Sequence, residues 1–183
     1  MEMVWLDPGE LFIGGGAEVH TVLGSCVSVV FYHPRSRFGA ICHGKRDSRA
    51  CAHPLTGVKI CREMGDYVSC VLPYLLASFE QRGIARQELE VKLFGGGMMF
   101  GGSGAVLDAP GFTIGKRNVD TALSFIRAHH LHLTASDVGG PWARQLIFST
   151  ATGEIRLRRI RSSEQELATL DSGAGAGNGR KFF

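Results

Sequence analysis

The stretch Cys26-Val-Ser-Val-Val-Phe-Tyr32, followed by His33-Pro-Arg-Ser-Arg37 and then Phe38-Gly-Ala-Ile-Cys42, decides how this chain folds. Its first part is β-branched and apolar and stops at a His-Pro turn. Its last part reads as a hairpin partner, so the two form antiparallel strands with a short connection. In such a pair the start of the first strand lies beside the end of the second. Cys26 opens one strand and His43 closes the other, so the two side chains are expected to meet at one edge.

A cysteine beside a histidine is what thiol hydrolysis needs, because a thiolate attacks carbonyl carbon well once an imidazole takes its proton. Just upstream, Thr21-Val-Leu-Gly24-Ser25 brings a glycine turn to the cysteine. Glycine and serine are costly inside a strand unless a tight backbone approach is required. Here Gly24 and Ser25 are the candidates for leaving main-chain N–H groups free to hold an oxyanion. Alone, Cys26 fits a buried small apolar residue and His43 an ordinary strand-end histidine; their pairing carries the chemistry.

The rest of the chain alternates helices and strands. Met64, Tyr67, Val68, Val71, Leu72, Leu75, Leu76 and Phe79 keep the rhythm of an amphipathic helix ending before Gly83, with Pro73 implying a kink or break. A second helix is predicted over 118–129. Strands are predicted over 89–94, 131–135, 145–149 and 154–160, the last two joined at Thr150-Ala-Thr-Gly153 as a hairpin. This mixture predicts a single-domain α/β (α+β) sandwich, with helices packed on a mixed or mostly antiparallel sheet. Residues 1–161 make up that domain. From Ser162 to Phe183 the chain is small and polar, which predicts a disordered tail.

Composition excludes several functions. The chain has 183 residues, with 20 Lys and Arg against 17 Asp and Glu, a balance without the basic stripe of a nucleic-acid binder. The run Arg156-Leu-Arg-Arg-Ile-Arg161 alternates like the solvated face of a strand. No apolar stretch is long enough for membrane insertion and no signal segment opens the chain, so a cytoplasmic location is expected. Five cysteines, at 26, 42, 51, 61 and 70, then read as reduced thiols. Cys42, His43, Cys51, His53 and Cys61 are too widely spaced for a structural zinc site, so no metal is expected. Gly95-Gly-Gly-Met-Met-Phe-Gly-Gly-Ser-Gly104 lacks the ending of a nucleotide loop and reads as a close-packed turn or a loop lining the cleft. Asp137-Val-Gly-Gly140 reads as a turn with Asp137 capping.

Thr21 to Val29, Lys92-Leu-Phe-Gly-Gly-Gly-Met-Met-Phe100, Ile114-Gly-Lys-Arg-Asn118 and Asp137-Val-Gly-Gly140 together resemble the CheD family of chemoreceptor glutamine deamidases, in order and in spacing, from about Pro8 to Arg161. The resemblance implies Cys26 as nucleophile, His43 as general base and a threonine upstream of the cysteine as third member. Thr21 is the candidate and His20 the alternative; strand neighbours face opposite sides, so only one can point at the site. It further implies hydrolysis of receptor glutamine carboxamides without a cofactor. The implied partners are the cytoplasmic domain of methyl-accepting chemotaxis receptors and a CheC-type phosphatase. Two other readings stand beside it, a chemotaxis adaptor with little catalysis and a thiol amidase acting on small amides. The chain departs from the family after His43, where Gly44-Lys-Arg-Asp-Ser48 replaces an aromatic or apolar residue and Leu-Pro.

Overall fold

The computed structural model describes residues 1–48, 63–98 and 110–160, with the side chains of 110–113 set aside. The expected tail, Cys51, His53, Cys61 and the end of the glycine cluster lie outside the described residues. The elements run β1 (Glu2–Trp5), β2 (Leu11–Gly14), β3 (Ala17–Leu23), β4 (Val27–His33), β5 (Phe38–Cys42), a 3-10 turn (Met64–Asp66), α1 (Val68–Glu80), a second 3-10 turn (Arg86–Glu88), β6 (Glu90–Gly95), α2 (Pro110–Ala128), β7 (His132–Val138), β8 (Ala143–Ser149) and β9 (Ile155–Ile160).

The strands form two sheets, ordered β1-β3-β8-β9 and β2-β5-β4-β6-β7. Pairing is antiparallel except for β1 with β3 and β6 with β7, which are parallel. The α+β sandwich is therefore three layers thick: helices, a five-stranded sheet and a four-stranded sheet. Central strand β4 is buried at every position, which explains why its residues are apolar apart from Ser28 and the terminal His33. Val27, Val29 and Phe31 face the helices together with Val71, Leu75 and Phe79 of α1. Val30 and Tyr32 face the second sheet together with Val19, Leu146 and Phe148.

Several boundaries differ from the sequence reading. Pro73 neither ends nor divides α1, which continues through it to Glu80. A proline inside a helix costs about 3 kcal/mol. On both sides of it Val71, Leu72, Leu75, Leu76 and Phe79 are buried, each contributing about 1.5–3 kcal/mol, so packing wins. Helix α2 begins at Pro110 rather than at 118, since proline suits a first helical turn. Gly115 inside it is a packing requirement, because a Cβ there would lie 2.7 Å from the Gly96 carbonyl oxygen. Asp137 does not cap a turn. It lies next to last in β7, in an ion pair with the buried Arg144 and a second with Arg159. Burial pushes its carboxyl up, but hydrogen bonds from both arginines outweigh that and hold it below the usual range. The basic run is strand β9, with Arg156, Arg158 and Arg159 exposed.

Candidate active site

The β4–β5 hairpin continues past its regular strands in the same register. Val30 opposes Ile41, and further up Val27 and Gly44 exchange two N–H···O bonds of 3.0 and 2.9 Å. Ser28 therefore opposes His43, and Cys26 lies one diagonal step from the imidazole, at a Cα separation of about 7–8 Å that thiol and ring span together. Side chains alternate across a strand, so Cys26, Ser28 and His43 all face the second sheet. Cys26 is half-buried and packs against the core between the sheets, and His43 is fully buried. The imidazole's main chain is held on its other side, where His43 N–H bonds Glu10 C=O and its own C=O accepts from Gly9 N–H.

Thr21 comes from the opposite sheet. On β3, Ala17, Val19, Thr21 and Leu23 point inward, and the Thr21 hydroxyl lies 2.8 Å from His43 Nδ1. It also lies 2.9 Å from the Leu6 carbonyl oxygen, which can only accept. The single hydroxyl proton is thus committed to Leu6, and the hydroxyl oxygen must accept a proton from Nδ1–H. That assignment leaves the lone pair of the neutral ring on Nε2, which is buried without a hydrogen-bond partner among the described residues. His20 lies on the other face of β3, bonded to Glu18 at 3.0 Å and stacked on Trp5 at 4.8 Å. Thr21 and His20 thus separate, and Thr21 is the one that meets His43.

Burial sets the protonation states. It lowers the His43 imidazole to about 4, and it pushes the Cys26 thiol up to about 11 against the opposing pull of Lys45. A resting thiolate–imidazolium pair would lie uphill by the gap between those values, about 10 kcal/mol. Attraction between the two ions at contact returns about 4 kcal/mol. Burial thus favours the neutral thiol and the neutral imidazole at rest.

Carbonyl anchors shape the turn between β3 and β4. Gly24 C=O accepts from Gly97 N–H at 2.8 Å, Ser25 C=O from Asn118 Nδ2 at 3.0 Å, and Cys26 C=O from Gly96 N–H at 2.8 Å. Peptide planarity makes each anchored carbonyl direct the next N–H the opposite way. The N–H groups of Ser25 and Cys26 donate to no main-chain carbonyl among the described residues, and the Cys26 N–H favours its own thiolate. Gly95 takes φ +107, and a Cβ on it would collide with the Cys26 carbonyl. A Cβ on Gly97 would collide with the Trp142 carbonyl, so the glycine run is what lets two main chains meet behind the thiol. Behind it again, Met98 N–H bonds Gly140 C=O, while Arg144 holds the Gly139 and Trp142 carbonyls. The glycine and Asp137 motifs are thus a scaffold under the cysteine turn. A cavity of about 230 Å³ between that scaffold and α2, lined by Gly96, Lys116, Val119 and Val138 among others, contains none of Cys26, His43 and Thr21.

The loop that departs from the family pattern is tied down. Lys45 and Arg46 N–H groups both bond Asp66 C=O, Arg46 and Asp47 carbonyls take the first N–H groups of α1, and Lys45 Nζ pairs with Asp66 at 2.9 Å. Asn118, which bonds both this loop and the cysteine turn, reads in the sequence as the start of a helix and the end of a family motif, not as a site residue.

No group of three or more potential metal ligands occurs among the described residues, and none of their helices is long and apolar enough to cross a membrane. What the fold and site define is an α+β sandwich that brings an imidazole and a hydroxyl into hydrogen-bond contact near the end of its central strand, with a thiol on the same face one diagonal step away. The chain belongs to the CheD family: the family model for CheD chemotactic sensory transduction matches residues 56–159. It is 39% identical over 160 residues, covering 86% of this chain and 91% of the relative, to the probable chemoreceptor glutamine deamidase CheD of Maridesulfovibrio salexigens. It is 40% identical over 169 residues, covering 89% and 93%, to the probable chemoreceptor glutamine deamidase CheD 2 of Geobacter sulfurreducens. A Pseudomonas fluorescens relative of the same description is 34% identical over 157 residues, covering 85% and 83%.

Proposed function

We propose that this chain deamidates glutamine side chains on the cytoplasmic helices of methyl-accepting chemotaxis receptors, converting carboxamide to carboxylate and releasing ammonia. The reading is supported by the descriptions of its relatives and carried by one observation. The Thr21 bond to His43 Nδ1 leaves Nε2 as the basic nitrogen on the face that Cys26 occupies.

In this mechanism Cys26 Sγ attacks the carboxamide carbon while its proton passes to His43 Nε2. Because the resting pair is neutral, proton transfer and attack advance together. The carbonyl oxygen takes the electron pair and is held by the N–H groups of Ser25 and Cys26. Imidazolium then protonates the amide nitrogen, the C–N bond breaks and ammonia leaves a thioester. A water gives its proton to Nε2 and attacks the thioester carbon. The C–S bond breaks, Sγ regains the proton, and glutamate departs. Throughout, the Leu6 carbonyl holds the Thr21 hydroxyl in acceptor orientation, so that Thr21 stabilises the ring when it becomes imidazolium.

Incubation of purified protein with a receptor cytoplasmic fragment tests the reading by mass spectrometry of receptor peptides. Conversion of particular glutamines to glutamate by the native chain, and not by Cys26→Ala, is the expected outcome. Equal conversion by both would overturn it.

A further inference from the structure

Asn118 is the buried polar side chain of the site whose role the proton relay leaves open. It lies on α2, has no exposed surface, and places one Nδ2 group 3.0 Å from Ser25 C=O and 3.1 Å from Lys45 C=O. Two carbonyl neighbours fix the amide's orientation, since only its NH2 end can donate to both. Oδ1 is then turned away, and it is buried without a donor among the described residues. An unmade buried acceptor is costly, so the orientation is retained for the bonds at the other end.

Those bonds fall on either side of the reacting pair. Ser25 immediately precedes Cys26, and Lys45 follows His43 by two residues, so one amide ties the nucleophile's segment to the base's segment. Ser25 C=O also shares its rigid peptide unit with Cys26 N–H. Holding that oxygen aims the N–H, and donation to the oxygen polarises the amide and strengthens the N–H as a donor. We propose that Asn118 is a positioning residue that aims the Cys26 N–H at the developing oxyanion and fixes the separation of Cys26 and His43. This inference rests on the deamidase reading above.

Asn118→Ala and Asn118→Ser, the second keeping a donor on a shorter arm, test it at a temperature where circular dichroism finds each variant folded. The expected result for Asn118→Ala is a kcat on the receptor fragment lower by about 30-fold or more with KM within about threefold, because docking is untouched and transition-state stabilisation is lost. Asn118→Ser should fall between. Alkylation of Cys26 by iodoacetamide at pH 8, followed by peptide mass spectrometry, should quicken about tenfold in Asn118→Ala. A thiol released from its burial drops from about 11 toward its ordinary 9, and the roughly hundredfold gain in thiolate is partly offset by weaker nucleophilicity. Native kcat and native alkylation in a folded variant would overturn the proposal whatever the melting temperature does. Failure of both variants to fold would overturn it in favour of a purely structural amide. If the native chain, assayed in parallel, converts no receptor glutamine, the deamidase reading fails instead, and the alkylation rate alone judges the positioning role.

Discussion

Cys26 immediately precedes β4 and Cys42 ends the neighbouring β5, and burial pushes both thiols up to about 11. By acidity they are indistinguishable. They differ in face: Cys42 points into the helix-side core among Val29, Phe31 and Leu75, where its thiol lies 3.9 Å from the Val29 carbonyl. Cys26 lies on the other face, one diagonal step from His43, whose Nε2 has no hydrogen-bond partner among the described residues. Strand parity and what shares its face therefore distinguish Cys26 from Cys42, while burial pushes both thiols up.

The comparison breaks most sharply at the thiols themselves. Cys26→Ala should lower deamidation by about 10⁴-fold or more, as loss of a nucleophile does elsewhere. Cys42→Ala should retain native kcat and lose only stability, by about 1 kcal/mol for the lost packing of a small buried side chain. Peptide mass spectrometry of the receptor fragment and thermal unfolding of the two variants measure the pair. A catalytically dead but folded Cys42→Ala, with Cys26→Ala active, would invert the assignment. Next in size, His43→Asn should reduce kcat by about two to four orders of magnitude, the usual worth of a positioned acid–base group.

The same parity explains what could be read in advance. The β4–β5 hairpin was legible because a β-branched run, a His-Pro turn and a second apolar run are all local signals, and the diagonal of Cys26 with His43 follows from the register they set. Which of His20 and Thr21 turns inward was not legible. Val19, His20 and Thr21 are all buried, since Trp5 of β1 covers His20 on the outer face, so β3 shows no alternation there. The division of the strands into two sheets was equally hidden, because β3 pairs with β8 across more than a hundred residues. Asn118 ends a motif that carries the family resemblance, but its two bonds span 93 and 73 residues, so what it holds could not be read from the sequence. The glycines at 95–97 were legible as a close-packed turn, whereas the carbonyls they admit were not.

Within the polar face, Thr21 gives the sharper test. Thr21→Val keeps the shape and removes the acceptor for Nδ1–H, a hydrogen bond worth about 1.5–3 kcal/mol once the ring is charged. Deamidation should fall roughly 10- to 150-fold. Thr21→Ser should recover most of it, and His20→Ala should stay within about twofold of native, since its bond is to Glu18 on the outer face. Steady-state rates of the three variants decide the matter: full activity in Thr21→Val would remove the hydroxyl from the relay.

The smallest effect concerns stability, and it separates the two faces without any substrate. Burial lowers His43 to about 4 from its ordinary 6.5. Below pH 6.5 the unfolded chain takes up a proton at this position that the folded chain refuses, so the unfolded state gains relative to the folded one as pH falls. The stability due to the neutral buried ring is fully present above pH 6.5, declines through the interval, and is exhausted near pH 4. By pH 5 about 2 kcal/mol of it should be gone. The Cys42 thiol does not titrate in that window; like that of Cys26, it acts only on the alkaline side. Urea unfolding at pH 7.5 and pH 5 should therefore give a pH dependence smaller by about 2 kcal/mol in His43→Asn than in the native chain, and unchanged in Cys42→Ala. If His43→Asn keeps the whole native acid dependence, the imidazole is not the neutral buried base on which the contrast between the two thiols depends.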